Sequence, residues 1–274
     1  MEHNITSMSR LIAEAIERIL EEGALATLAT LIQGANAVGA KLLVTDSGAV
    51  IGSLGDEVLD RAVTRFTTRF LESRDEAHTF LVSEFAPELN ANADGKILFE
   101  RIEPEPRIVI CGAGHVGASL ARLASFAGYR VTLLDDRAEF LTRALIPDEK
   151  IDLLVANSWG HAVLEAIGNG HGVSVAVVTR GHNEDEECMQ ACITTRAGYI
   201  GLIGSKRRTN IVLDRLRQAG ADEKQLQKVH APIGLDIGAV TPEEVALAIM
   251  AEIVAERRGG KGKSLSAWPR KTQD

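Results

Sequence analysis

Residues 107–117 read RIVICGAGHVG, an aliphatic run followed directly by three glycines in the spacing G-x-G-x-x-G. The aliphatic run is typical of a strand that is buried on both faces of a parallel sheet. Beyond the second glycine, Val116, Leu120 and Leu123 recur with helical spacing, which predicts a helix beginning inside the motif. A tight turn from a buried strand into a helix leaves the first helical N–H groups without partners, so this stretch predicts an anion site.

Each residue of the turn has a predicted role. Gly112 permits the tight turn, Gly114 lets a pyrophosphate approach the backbone, and Gly117 lets the helix pack closely on the strand. His115 and Val116 open the helix and complete the candidate phosphate-binding loop.

A second β-rich run at 130–134 ends at Asp135 and Asp136, roughly twenty residues beyond the glycines. A carboxylate there can accept hydrogen bonds from a ribose diol and would repel a 2′-phosphate, which favours NAD-like over NADP-like ligands. The neighbouring Arg137 weakens that preference. The alternative is a glycine-rich turn in a domain that binds no nucleotide. The order strand, loop, helix, strand and acid favours a nucleotide-type ligand.

The rest of the chain predicts an α/β protein with two domains. Residues 104–258 predict a Rossmann-type, doubly wound parallel sheet, with strands at 107–111, 130–134, 151–155, 173–179 and 199–204. Residues 1–103 predict a smaller α/β domain, with helices at 9–22 and 56–73 and strands at 24–32, 41–45, 50–51, 78–85 and 96–102. Residues 259–274 predict a flexible basic tail. Thr241, Pro242 and Glu244 predict a capped N-terminus for the last helix.

Composition narrows the classes of function. The chain is 45% hydrophobic with a net charge of −8, which disfavours a nucleic-acid partner because neutralising phosphates supplies most of that affinity. Its apolar runs are shorter than the ~20 residues that cross a bilayer, and its first residues do not resemble a secretory signal. An odd number of cysteines suits a reducing compartment, so we expect a cytoplasmic protein. With 4% aromatic residues, an aliphatic core is expected.

Two further loops follow predicted strands and should reach the same edge of the sheet. The first holds Arg180, Gly181, His182 and Asp185, where the imidazole and the carboxylate could orient a ligand or act as acid and base. The alternative is a polar loop with Asp185 in the first turn of the next helix. The spacing of these residues does not favour a metal site.

The second loop runs from Gly204 through Ser205 into Lys206, Arg207 and Arg208. Ser205 resembles an N-cap, yet three cations follow where the helix dipole disfavours positive charge. A bound anion would remove this conflict, and a solvated basic patch is the alternative. The glycines of 232–238 predict a tight backbone path beneath a ligand, or simply turns.

The cysteines admit two interpretations. Cys111 is either a small buried residue at a strand end or a thiolate stabilised by the helix N-terminus, so it joins His182 and Asp185 as a candidate catalytic residue. Cys188 and Cys192 are expected to pack within a helix.

Taken together, these segments resemble the XdhC/CoxI family, the accessory factors of xanthine dehydrogenase and related molybdenum hydroxylases. The matching stretches are 112–117, 134–137, 178–182, 199–207 and 232–239 leading into 241–244. The first domain resembles the family's smaller domain through 39–44 and 51–55.

The resemblance implies a chaperone that binds the molybdenum cofactor, as molybdopterin or its dinucleotide form, and delivers it to an apo-hydroxylase of the xanthine dehydrogenase type. It also implies a cysteine desulfurase as a second partner, and a homodimer that forms the delivery cleft. Many members carry a cysteine in the glycine-rich stretch of the first domain. Residues 52–56 hold no thiol here, which argues against a sulfur relay at that position. The alternative from the residues alone is an NAD-dependent oxidoreductase with His182 or Asp185 as acid and base.

Overall fold

The computed structural model describes residues 2–34, 37–73, 75–89, 93–168, 170 and 172–265. The chain divides between Pro106 and Arg107 into two compact units. Of the tail predicted at 259–274, residues 266–274 lie outside the described part. No helix in the described ranges combines the length and the apolar character needed to span a bilayer.

The first unit is an antiparallel sheet with helices. Its strands, in the order β3-β2-β1-β5-β4, are β1 (Ala26–Gln33), β2 (Lys41–Thr45), β3 (Val50–Ser53), β4 (Ala77–Leu81) and β5 (Lys96–Ile102). Its helices are α1 (Glu2–Glu21), α2 (Glu57–Ser73) and α3 (Val82–Phe85). The small α/β unit that the sequence predicts before the parallel sheet is therefore confirmed.

Two expectations for this unit are wrong. The strand predicted at 78–85 ends at Leu81, because the Glu84 carboxylate accepts a hydrogen bond from the Leu81 N–H at 2.6 Å and the chain turns into α3. The core is also not purely aliphatic. The Phe66 ring packs on the rings of Phe80, Phe85 and Phe99, with centroids about 5 Å apart.

The second unit is built on a six-stranded parallel sheet with the order β11-β10-β9-β6-β7-β8. The strands are β6 (Arg107–Cys111), β7 (Arg130–Asp135), β8 (Ile151–Val155), β9 (Val173–Val177), β10 (Tyr199–Leu202) and β11 (Val229–His230). The helices are α4 (His115–Phe126), α5 (Trp159–Ile167), α6 (His182–Cys192), α7 (Lys206–Gln218), α8 (Glu223–Leu226) and α9 (Pro242–Arg258).

Helices cover both faces of this sheet. One buried cluster joins strand residues to α5, α6 and α7, and a second joins them to α4 and α9. Because both faces are covered, the strands are aliphatic throughout, as in the run that opens β6. The prediction of a Rossmann-type, doubly wound parallel sheet is confirmed.

The helix ends and strand ends bear on the site. The capping box predicted for α9 is confirmed, with the Thr241 hydroxyl accepting from the Glu244 N–H and the Glu244 carboxylate accepting from the Thr241 N–H. The strands predicted at 173–179 and 199–204 each end two residues early, because the chain turns there into loops.

The strand order creates a switch point beside β6. The chain proceeds from β6 outward to β7 and β8, and then returns to β9 on the other side of β6. The loops that follow β7 and β9 therefore flank the loop that follows β6. In open α/β sheets, ligands bind in the crevice at such a point.

Candidate functional site

The glycine loop after β6 is compact for steric reasons. Gly112 has φ +116°, a left-handed conformation, and a Cβ added to it would lie 2.6 Å from the carbonyl oxygen of Val178. A Cβ added to Gly117 would lie 1.8 Å from the carbonyl oxygen of Gly112. Glycine at these two positions lets strand, loop and helix pack together.

Gly114 differs from the other two glycines. It is the N-cap of α4, with φ −66° and ψ −175°, and within the described residues no side chain caps the helix there. A Cβ added to Gly114 would meet no atom within 4 Å. The first N–H groups of α4 therefore face open space, which is the arrangement that binds phosphate at helix N-termini.

That open space is a cavity of about 390 Å³. Seven residues expected at the site line it, namely Gly112, Gly114, His115, Val116, Arg137, Arg180 and Gly204. The other lining residues are Val178, Thr179, Ile203, Arg208 and Pro242. Eight further expected residues do not line it, namely Gly117, Asp135, Asp136, Gly181, His182, Ser205, Lys206 and Arg207.

Asp135 supports the loop from beneath. Its buried carboxylate accepts hydrogen bonds from the Ala113 N–H at 2.7 Å and from the Arg137 N–H at 3.0 Å. The Arg137 guanidinium donates to both carboxylate oxygens, at 2.8 and 3.0 Å, and lies 3.8 Å from the centroid of the Phe140 ring. The expected ribose contact therefore falls to Asp136, since Asp135 is enclosed by protein donors.

Asp136 pairs across the loop with Arg180. The two guanidinium nitrogens of Arg180 donate to the two carboxylate oxygens at 2.7 and 2.9 Å, a bidentate ion pair. These hydrogen bonds lower the pKa of Asp136 to about 2. Glu184 approaches the same guanidinium at 3.5 Å.

Asp185 is fully buried beneath the neighbouring loop. It accepts hydrogen bonds from the Thr179 hydroxyl at 2.6 Å and from the Arg208 guanidinium at 2.6 and 3.1 Å. Burial raises its pKa, although the bonds from Thr179 and Arg208 oppose this shift. Because its oxygens are occupied, the geometry favours the structural alternative for Asp185 over acid–base chemistry. His182 is exposed at the start of α6.

The basic turn before α7 contributes one cation to the cavity. Ser205 is the N-cap, and its hydroxyl accepts from the Arg208 N–H at 3.3 Å. Lys206 and Arg207 are exposed and lie outside the cavity lining, whereas the Arg208 side chain reaches it. The sequence indicated a cationic turn, but only helix geometry selects which cation faces inward.

The cysteines are packing residues in this structure. Cys111, Cys188 and Cys192 are all free and buried. The hydrogen bond to Cys188 and burial together raise the pKa of Cys111, which disfavours the thiolate alternative. Within the described ranges, no three His, Cys, Asp or Glu residues are grouped as a metal site.

These features define a class of protein, one with a Rossmann-type domain whose uncapped phosphate loop faces a cavity that three arginines line. The model of the XdhC Rossmann domain matches residues 108–253, which is more than half of the chain. The chain therefore belongs to the XdhC family.

Two curated relatives match over much of the chain. The "Uncharacterized protein YqeB" of Escherichia coli K12 is 30% identical over 227 residues, covering 81% of this chain and 41% of that protein. A probable xanthine dehydrogenase component of Bacillus subtilis 168 is 32% identical over 162 residues, covering 59% of this chain and 46% of that protein. The chain thus spans less than half the length of these relatives.

A solved structure shares the fold. The crystal structure of a xanthine dehydrogenase from Bacillus halodurans matches with a TM-score of 0.50 at 18% identity, covering 93% of this chain and 97% of that one.

Proposed function

We propose that this protein is an accessory factor that binds the molybdenum cofactor as cargo and delivers it to a molybdenum hydroxylase of the xanthine dehydrogenase type. Membership of the XdhC family and the name of the Bacillus subtilis relative support the class of partner. The observation that carries the proposal is the uncapped N-terminus of α4, where Gly114 opens onto the cavity.

The residues of the cavity suit a phosphorylated ligand. Molybdopterin carries one phosphate, and its dinucleotide form adds a second phosphate and a ribose. The amides of the Gly112–Gly117 loop would hold a phosphate, while Arg137, Arg180 and Arg208 offset its charge. A volume of about 390 Å³ falls within the usual size of small-molecule sites.

The candidate catalytic residues support binding and transfer over catalysis. Asp185 is held by Thr179 and Arg208, Cys111 is a buried thiol, and His182 lies outside the cavity lining. In this proposal the chain's residues bind, orient and release the cargo, and the molybdenum chemistry belongs to the hydroxylase. A cytoplasmic location belongs to the proposal, whereas the cysteine desulfurase and the homodimer stay predictions.

The test is to identify the small molecule that the protein carries. We would purify the full chain from cells that synthesise the cofactor, denature it, oxidise the released material and identify it by mass spectrometry. We expect an oxidised pterin derivative from the wild type. NAD in stoichiometric amount without any pterin would overturn the proposal and favour an NAD-dependent oxidoreductase.

Gly114→Val locates the cargo on the loop. A side chain at Gly114 meets no atom of the protein, so the fold should persist while the phosphate position is filled. Gly160→Val is the matched control, because Gly160 lies on α5, is equally open and is not among the residues lining the cavity. We expect Gly114→Val to lose the pterin and Gly160→Val to keep it. Equal retention by both variants would exclude this loop.

A further inference from the structure

Each arginine in the cavity lining has an aspartate partner from a strand-end loop or the following helix: Arg137 with Asp135, Arg180 with Asp136, and Arg208 with Asp185. The three pairs are similar in distance but differ in burial. This difference separates two permanent supports from one pair that can exchange.

The pairs of Asp135 and Asp185 are permanent. Both carboxylates are buried, and each also accepts a further hydrogen bond, from the Ala113 N–H and from the Thr179 hydroxyl respectively. Moving a guanidinium away would leave a buried charge without compensation, which is strongly unfavourable. A ligand can therefore use the outward side of Arg137 and Arg208 but cannot detach them.

The pair of Arg180 and Asp136 is different because water reaches it. Asp136 keeps 30% of its side-chain surface exposed, and Arg180 keeps 46%. An exposed ion pair contributes little net free energy, because water replaces each partner at small cost. A phosphate at the cavity would be a stronger partner for this guanidinium than a single carboxylate, since it carries more charge and more acceptor oxygens.

The position of this pair is the second element of the argument. Asp136 directly follows β7 and Arg180 lies on the loop after β9, while β6 runs between those two strands. The ion pair therefore spans the carboxyl end of β6, where the glycine loop begins. A dinucleotide on a Rossmann sheet extends across this same edge, with its pyrophosphate over the loop and a ribose beside the neighbouring strand.

We infer that the Arg180–Asp136 ion pair is an exchangeable latch over the phosphate loop, opened by a ligand that carries both a pyrophosphate and a ribose diol. The pyrophosphate replaces Asp136 on Arg180, and the released Asp136 carboxylate accepts the hydrogen bonds of the diol. A ligand without the diol opens the latch but leaves Asp136 uncompensated beside its phosphates. The site thus selects nucleoside-diphosphate dinucleotides over ligands that carry phosphate alone.

This inference rests on the proposed function only in placing a phosphate on the Gly112–Gly117 loop, and it does not depend on molybdenum. Applied to the proposed cargo, it selects the dinucleotide form of the cofactor. The probes can therefore be simple compounds: inorganic pyrophosphate, which lacks the diol, and ADP-ribose, which has both groups.

The experiment is calorimetric titration of both probes into the ligand-free full chain and into Asp136→Asn. Asp136→Asn should bind pyrophosphate about fivefold more tightly than the wild type, because Arg180 is no longer occupied and a negative charge is gone. ADP-ribose loses a charged diol contact at the same time, so the ratio of its affinity to that of pyrophosphate should fall by about tenfold. Glu139→Gln, the same charge change at an exposed position nearby, should leave both affinities unchanged.

The outcomes separate the latch from the proposed function. Unchanged pyrophosphate affinity in Asp136→Asn, with binding that Gly114→Val abolishes, would overturn the latch and leave the phosphate loop intact. An equal gain for both probes would overturn the diol contact and with it the proposed selectivity. Binding of neither probe to any variant would overturn the latch and also the phosphate site of the proposed function.

Discussion

The carboxylate of Asp135, at the end of β7, accepts a hydrogen bond from the backbone N–H of Ala113 at 2.7 Å. The same carboxylate holds the guanidinium of Arg137. One buried side chain therefore fixes both the path of the glycine loop and the direction of a cation in the cavity lining. The acid at the end of the second strand of this sheet acts on the loop itself.

Asp135→Ala should destabilise the second unit. The substitution leaves the Ala113 N–H buried without a partner and frees Arg137, so we expect a loss of about 1–3 kcal/mol in the free energy of unfolding. Urea denaturation followed by circular dichroism measures this loss. Asp152→Ala is the control, because Asp152 makes an exposed ion pair with Arg130 and should cost less than about 0.5 kcal/mol. Equal losses for both variants would contradict the support that we assign to Asp135.

Gly117→Ala and Gly114→Ala should differ sharply although both lie in one loop. The new methyl group at Gly117 would overlap the carbonyl oxygen of Gly112, so α4 must shift, at a cost of about 1–3 kcal/mol. The methyl group at Gly114 enters open space, and changing a glycine N-cap costs less than about 1 kcal/mol. Thermal unfolding of the two variants checks the order. A Gly114→Ala protein that is the less stable of the two would show that the loop packs differently.

The chain order of the second unit was predictable because each signal is local. The aliphatic run into Gly112 predicts a buried strand and a turn, and the Thr241 hydroxyl with the Glu244 carboxylate predicts the start of α9. Both follow from the chemistry of a few neighbouring residues. The parallel sheet follows from aliphatic strands that alternate with helices.

The roles of individual carboxylates were not predictable, because they depend on contacts between distant segments. Asp135 and Asp136 are neighbours in the chain, yet one turns into the protein and the other pairs with Arg180, 44 residues further along. Asp185 similarly has the sequence context of a rim residue, but Arg208 reaches it from the next helix. Sequence spacing identifies the edge of the sheet, whereas three-dimensional packing decides which oxygens stay available to a ligand.

Arg208→Met should give a stability loss that depends on pH. The substitution leaves the buried carboxylate of Asp185 without its cation, at a cost of about 3–5 kcal/mol near neutral pH. Burial already raises the pKa of Asp185 above its ordinary value of 3.8, and losing Arg208 raises it further. An acid with a raised pKa in the folded state takes up a proton more readily than in the unfolded state. The stability deficit of the variant should therefore shrink as the pH falls toward that range.

Denaturation of Arg208→Met at about pH 5 and about pH 8 measures this dependence. Arg215→Met is the control, because Arg215 lies on the same helix and its ion pair with Glu186 is exposed. The control should lose less than about 1 kcal/mol at either pH. A deficit of Arg208→Met that grows on acidification would contradict the assigned role of Asp185.

A second cluster, away from the cavity, gives a prediction of the opposite kind. The Glu252 carboxylate on α9 accepts hydrogen bonds from the Tyr199 hydroxyl at 2.5 Å and from the Gly234 N–H at 2.8 Å, and lies 3.7 Å from Nδ1 of His230. Its contact with Glu252 raises the pKa of His230 above 6.5. Burial alone would raise the pKa of Glu252, but the bonds from His230, Tyr199 and Gly234 outweigh it and hold that pKa below 4.5.

Glu252→Gln should therefore destabilise the protein most in a window of weakly acidic pH. The raised pKa of His230 gives stability that is present below 6.5 and lost as the pH rises, while the lowered pKa of Glu252 gives stability that is lost as the pH falls below 4.5. The difference in unfolding free energy between wild type and variant should peak between these values and decrease by about 1 kcal/mol toward pH 8. Denaturant titrations across this range measure the difference, and His230→Gln should remove the decrease above 6.5. A difference that stays constant with pH would mean that the imidazole and the carboxylate do not interact, because only their shared charge links the cluster to protons.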